Sequence, residues 1–137
     1  MLSRRMFVNC ALCAITPGFA ATAVQAQGQP APTGGVTRKI LSTTELPDGK
    51  YVTIQVAAEI TAGAIVARHT HPGIESAFVM DGEGELIIDG KANAMLKAGD
   101  NFQVPPSAPH SLKNGGRPMK LSIVYTVEKD KPLASPA

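Results

Sequence analysis

From residue 36 onward the sequence predicts a small all-β domain, its antiparallel strands closed into a barrel or folded into a double sheet, on three observations. Apolar residues alternate with polar ones at a period of two. Clusters of Gly, Pro, Asp and Asn recur at short intervals between those runs. No window of a dozen residues carries a helical apolar period that could supply a cover for a sheet. Strands that are apolar on one face and lack helices must bury those faces against each other, and an antiparallel barrel or double sheet does this economically. A chain of 137 residues fits one such domain.

Residues 1–26 read as an address. Arg4 and Arg5 give a positive start, an apolar stretch follows from Met6 to Ile15, and small residues lead to Val24-Gln25-Ala26, the order of a secretory signal cut after Ala26. The run Ser3-Arg4-Arg5-Met6-Phe7-Val8 resembles a twin-arginine signal. That resemblance implies a bacterial protein exported already folded, and hence a periplasmic one; an ordinary secretory signal with an accidental Arg pair is the alternative. Cys10 and Cys13 have the spacing of a thiol redox pair, but they lie inside this segment with no βαβ context. Cleavage would discard both, so the expected mature domain holds together without disulfides.

Charge excludes further classes. The sequence has 13 Lys+Arg and 11 Asp+Glu; losing Arg4 and Arg5 leaves 11 basic side chains against 11 acidic ones. A neutral chain lacks the clustered cations that nucleic-acid binding requires. No apolar run beyond the signal approaches the ~20 residues that span a bilayer, so neither nucleic acid nor membrane is an expected partner once the signal is gone.

Residues 27–35, rich in Gly, Pro, Gln and Thr, read as a flexible lead-in. The barrel domain is expected over residues 36–128. Val52, Ile54, Val56, Ala58 and Ile60 alternate along one strand, and residues 76–80, 85–89 and 121–127 are further strands. Pro47-Asp48-Gly49, Asp81-Gly82-Glu83-Gly84, Asp89-Gly90 and Asn114-Gly115-Gly116 supply the positive-φ residues of tight turns, with hairpins expected at the second and third. Phe78, Met80, Met95 and Phe102 are simplest as core. Residues 129–137 return to Lys, Pro and Ser and are expected to form a tail, loose at its end.

All three histidines fall in two short motifs. His69 and His71, two apart in an extended segment, share a face. Glu75 follows past a Pro72-Gly73 turn that lets its carboxylate swing back toward the same point, and His110 needs a barrel to bring it near. Three imidazoles and one carboxylate suit a divalent first-row transition metal. An isolated His is more often a surface or core residue than a ligand, so the context decides. Gly63, His69, His71, Glu75 and Gly82 match the spacing G-x5-H-x-H-x3-E-x6-G, the first cupin motif, without a departure. Gly99, Pro105, His110 and Asn114 match the second, G-x5-P-x-G-x2-H-x3-N, with Ser107 in place of its Gly.

The sequence therefore resembles the cupin superfamily, in particular its small single-domain members. The resemblance covers Gly63 to Asn114, about half of the chain left after signal removal. It implies a small jelly-roll β-barrel with a metal held by His69, His71, Glu75 and His110, commonly as a homodimer. Ser107 questions the turn before His110, since Ser reaches positive φ less readily than Gly, but it removes no ligand.

Four protein ligands on an octahedral ion leave two positions for water, dioxygen or a small-molecule substrate. Folding before export would let the cytosol choose the metal, favouring Mn²⁺ or Fe²⁺, while Zn²⁺, Ni²⁺ and Cu²⁺ also suit these donors. The leading expectation is a dioxygenase-type oxidoreductase acting on a small oxygenated or enolisable molecule. A Lewis-acid isomerase or lyase and a non-catalytic metal or small-ligand binding module are the alternatives. No catalytic side chain is assigned: Gln55 and Glu59 share a face of the strand over residues 51–61, Tyr125 lies on the last strand, and Glu59 reads best as solvated. Asn114 reads better as a turn cap than as a ligand orienter, because two glycines follow it.

Overall fold

The computed structural model describes residues 34–137. The signal segment with Cys10 and Cys13, and residues 27–33 of the lead-in, lie outside the described residues. Ten strands and no helix are found among those described: β1 (Val36–Glu45), β2 (Tyr51–Ile60), β3 (Ile65–Thr70), β4 (Gly73–Asp81), β5 (Glu83–Ile88), β6 (Ala94–Lys97), β7 (Asn101–Val104), β8 (His110–Asn114), β9 (Met119–Glu128) and β10 (Ser135–Pro136). They form two five-stranded sheets, in the orders β1-β2-β9-β4-β7 and β10-β3-β8-β5-β6, with antiparallel pairing throughout. This is the jelly-roll arrangement of an all-β barrel.

The period of two decides which side chains face inward. Val52, Ile54, Val56, Ala58 and Ile60 are all buried on β2, opposite Leu121, Ile123, Tyr125 and Val127 of β9 in register. Leu86, Ile88, Leu96 and Leu112 of the second sheet close on them to make one core. Full burial of each Ile, Leu or Val contributes roughly 1.5–3 kcal/mol, so the barrel has a driving force that needs no bound ion.

The same period corrects three core expectations. Phe78 and Met80 alternate with inward-facing Ala77 and Val79 on β4 and are 47% and 60% exposed. Met95 flanks inward-facing Leu96 on the edge strand β6 and is 73% exposed. A one-residue offset exchanges the faces of a strand, and hydrophobicity alone does not reveal the offset. Phe102 is partly buried against the core.

Pro47-Asp48-Gly49 closes the β1–β2 hairpin, where the Asp48 carboxylate accepts the Lys50 N–H at 2.9 Å. Asp89-Gly90 opens the loop of the β5–β6 hairpin. The turn at Gly82 is not a hairpin: β4 pairs with β7 and β9, whereas β5 pairs with β6 and β8, so Gly82 carries the chain from one sheet to the other. Its φ of 87° and the position of its absent Cβ, 2.6 Å from the Met119 Cα, explain why a side chain is not accommodated there.

Residues beyond β9 differ from the expected loose tail. Ser135 and Pro136 pair with Thr70 and His69 on β3, and Leu133 packs against the core. An open strand edge offers unpaired backbone groups, and this segment covers the one on β3.

Candidate metal centre

His69 on β3 and His110 on β8 are cross-strand partners in the second sheet. Their rings lie 4.2 Å apart between centroids. Glu75 comes from β4 in the first sheet, where it stands opposite Tyr125 of β9. His71 sits between β3 and β4, at the crossing from one sheet to the other. The four residues thus arrive from both sheets, and their ligand atoms all lie within 4.8 Å of one another. His71, Glu75 and His110 are buried, and His69 is partly so.

Each imidazole is oriented by its other nitrogen. Nδ1 of His69 donates to the Ala67 carbonyl at 2.7 Å, that of His71 to the Leu133 carbonyl at 2.6 Å, and that of His110 to the Ala108 carbonyl at 3.0 Å. With the proton fixed on Nδ1, every neutral ring turns an Nε2 lone pair toward the centre, the second bond that metal-binding histidines ordinarily have. The Nε2 atoms of His69 and His71 are 3.1 Å apart, and Glu75 Oε2 lies 2.9 Å from His71 Nε2 and 3.1 Å from His110 Nε2. Lone pairs facing each other at that range repel unless a cation or a proton lies among them. Bonds of about 2.1 Å at right angles would set donor atoms about 3 Å apart, so the donor set fits a divalent metal in chemistry and in size.

The charge balance around the cluster is uneven. Burial pushes the Glu75 carboxyl up, but hydrogen bonds from His110 and His71 and their charges outweigh it and bring its pKa down to about 2. Burial lowers His69 to about 4, against its bond to the Ala67 carbonyl and with help from the neighbouring imidazoles. His110 is also pushed down by burial, yet its bonds to Glu75 and Ala108 prevail and raise it. The depressed His69 contributes stability above its unfolded value of 6.5 that is lost as pH falls toward 4, and Glu75 adds a loss between 4.5 and 2. The raised His110 contributes below 6.5 and loses its share as pH rises through its folded value. Denaturation midpoints of metal-free protein are therefore expected to peak near neutrality, with the steeper fall on the acid side.

Ser107, the one departure from the motif, takes a left-handed backbone with φ 59°, and its N–H donates to the His71 carbonyl at 2.9 Å. The turn is made despite the side chain, at a cost on the order of 1 kcal/mol. Ser107→Gly is expected to gain up to about 1 kcal/mol in denaturant titrations, since glycine's larger unfolded-state entropy offsets part of the relief, with metal content unchanged.

Asn114 is structural: its Nδ2 donates to the Ile60, Thr61 and Arg117 carbonyls at 2.7–3.0 Å, while Oδ1 accepts the Gly115 N–H. Gln55 and Glu59 face outward and exposed. Tyr125 is buried, its ring 4.8 Å from that of His71. Two features escaped the sequence reading. The Leu133 carbonyl is one, because no side-chain pattern marks a backbone acceptor. Arg38 is the other; its signal was a charge at the inward step between Val36 and Ile40.

A cavity of about 750 Å³ borders the cluster at His69 and His71, walled in part by β1, β3 and residues 131–136. A smaller cavity touches His69, Glu75, His110, Arg38, Phe102 and Tyr125. Deleting residues 131–137 removes the acceptor that orients His71 and one wall of the larger cavity. Metal affinity is expected to fall about 10- to 100-fold, read by competition with a chromophoric chelator.

Residues 56–125 match the family model described as "Cupin domain". The chain belongs to the cupin family. A curated relative of this cupin, the dimethylsulfoniopropionate lyase DddQ of Ruegeria pomeroyi, is 28% identical over 80 residues, covering 56% of this chain and 40% of the relative. The sequence match thus spans about two fifths of that protein's length. The crystal structure of the same lyase superposes with a TM-score of 0.61 at 20% identity, over 74% of this chain and 51% of that one. A cupin-like protein of Thermotoga maritima superposes with a TM-score of 0.62 at 26% identity, over 77% of each chain.

Proposed function

We propose that this cupin is a metal-dependent enzyme of the lyase or isomerase type, which removes a proton next to a carbonyl or carboxyl group of a small oxygenated molecule. One observation carries the reading. Apart from the candidate ligands His69, Glu75 and His110 and from Arg38, the titratable side chain lining the smaller cavity is the phenol of Tyr125. A divalent metal on His69, His71, Glu75 and His110 would supply Lewis acidity toward a substrate oxygen. Tyr125 is the proton carrier. Burial, then the charge of Glu75, push its hydroxyl above the ordinary range, while the charge of Arg38 and its hydrogen bond pull the other way. Compensation of the Glu75 charge removes one of the two upward pushes and brings the phenol closer to proton exchange. The walls of that smaller cavity are mostly apolar, with Leu86, Leu112 and Ile123 among them. The curated relative is a lyase, which supports the same reaction class.

The test is solvent exchange. Metal-loaded protein in D₂O, incubated with dimethylsulfoniopropionate and a panel of small keto and hydroxy acids, is expected to exchange or eliminate the hydrogen next to the carbonyl without consuming oxygen. Turnover coupled to oxygen uptake would replace the proposal with the dioxygenase reading, which the same four donors permit with Fe²⁺. Binding with neither outcome would leave a non-catalytic binding module.

The proposal extends to the setting. Ser3-Arg4-Arg5-Met6-Phe7-Val8 supports export to a bacterial periplasm after folding, with Mn²⁺ or Fe²⁺ as the metal acquired. Elemental analysis of periplasmic protein that found only Zn²⁺ or Cu²⁺ would count against it. Exposed Ile74, Phe78 and Met80 on the outer face of β4 support a homodimer through that sheet.

A further inference from the structure

Inward positions on β1 are taken by Val36, Arg38 and Ile40. A guanidinium on the apolar step of a strand is costly to bury without a partner, and this one reaches the interior to hydrogen-bond the Tyr125 hydroxyl. It lines both cavities, the larger one bordered by His69 and His71 and the smaller one by His69, Glu75 and His110. Among the described residues lining the larger cavity, the charged side chains other than histidine are Arg38, Arg68 and Lys131, and none is acidic. The carboxylates bound to Arg68 and Lys131, those of Asp89 and Glu128, stand outside that lining.

We propose that Arg38 anchors a substrate carboxylate, and that this cavity takes small anionic acids whose carbon chain extends from the guanidinium toward the His69–His71–Glu75–His110 cluster. The inference rests on the proton-abstraction reading above and narrows its substrate class to carboxylates. A planar guanidinium with five donors can keep its bond to the Tyr125 hydroxyl and still grip a carboxylate through two parallel N–H···O bonds. Arg38 and Tyr125 then lie on the same side of the bound acid, and the hydrogens on the carbon next to the carboxylate come within the tyrosine's range.

The experiment is a calorimetric titration of the full metal-loaded chain with butyrate and, separately, butyramide, of nearly equal shape and different charge. Butyrate is expected to bind at least about tenfold more tightly than the amide. Arg38→Gln is expected to weaken butyrate binding about tenfold or more, the usual effect of losing charged hydrogen bonds, with amide affinity and metal content unchanged. Arg38→Lys should recover part of the loss, since it restores charge without the fork, and metal content verifies that both variants fold. Equal affinity for acid and amide would overturn the proposal. So would butyrate binding that is insensitive to Arg38→Gln, as expected of an acid held by the metal alone. The titration needs no turnover: an Arg38-dependent carboxylate site on a protein that exchanges no proton would refute the reaction and keep the anchor, and exchange in the Arg38→Gln variant at wild-type KM would do the reverse.

Discussion

Replacing His71 or His110 by Ala is expected to take metal content from nearly stoichiometric to nearly none, with the barrel still folded. Loss of a mere orienting partner costs a metal site about 10- to 100-fold; loss of the donor itself should exceed that. The two variants should differ in a readable way. His110→Ala leaves Glu75 with its 2.9 Å contact to His71, whereas His71→Ala also abandons the Leu133 carbonyl and with it one tether of the C-terminal segment. The fold survives in both because the buried rows of β2 and β9 pack without reference to the cluster. Glu75→Gln should weaken binding less and disturb reactivity more, since it keeps an oxygen donor and removes the negative charge. Elemental analysis together with far-UV circular dichroism checks all three; full occupancy in both histidine variants would reject the assignment.

Tyr125→Phe carries the second large effect. It deletes a single oxygen and keeps the ring that packs beside His71. If the phenol moves the proton, kcat should fall about 10²- to 10⁴-fold, the range for a positioned acid or base. Metal content should not change, and stability should drop by only about 1 kcal/mol, the net worth of one hydrogen bond. A purely packing role predicts the opposite pattern, with small kinetic losses. The rate of solvent deuterium exchange separates the two, because it isolates proton movement from product release.

Much of this architecture could be read from the sequence because period two and ligand spacing are local properties. Val52 to Ile60 announced β2 by alternation, and the intervals among His69, His71, Glu75 and His110 identified the four residues that the structure brings together. What stayed hidden depends on how distant segments meet. Whether Phe78 or Ala77 faces the core is set by the register of β4 against β9, which hydrophobicity does not encode. Gly82 looks the same in a hairpin and in a passage between sheets; only the pairing of its flanking strands tells them apart. The terminal residues look loose by composition, yet they order because β3 offers an edge and His71 a hydrogen-bond donor. The inward place of Arg38 is hard to read from sequence because a cation on a strand near the start of a domain ordinarily faces water.

The two leaves of the barrel each contribute to the cluster, with His69 and His110 on one and Glu75 on the other. An ion seated there would serve as a rivet as well as a reagent, clamping one leaf onto the other at the point where neither is stitched to its neighbour by backbone hydrogen bonds. Its capture would raise the melting temperature in proportion to the logarithm of free metal over Kd, and its removal would let the leaves part first at the cluster.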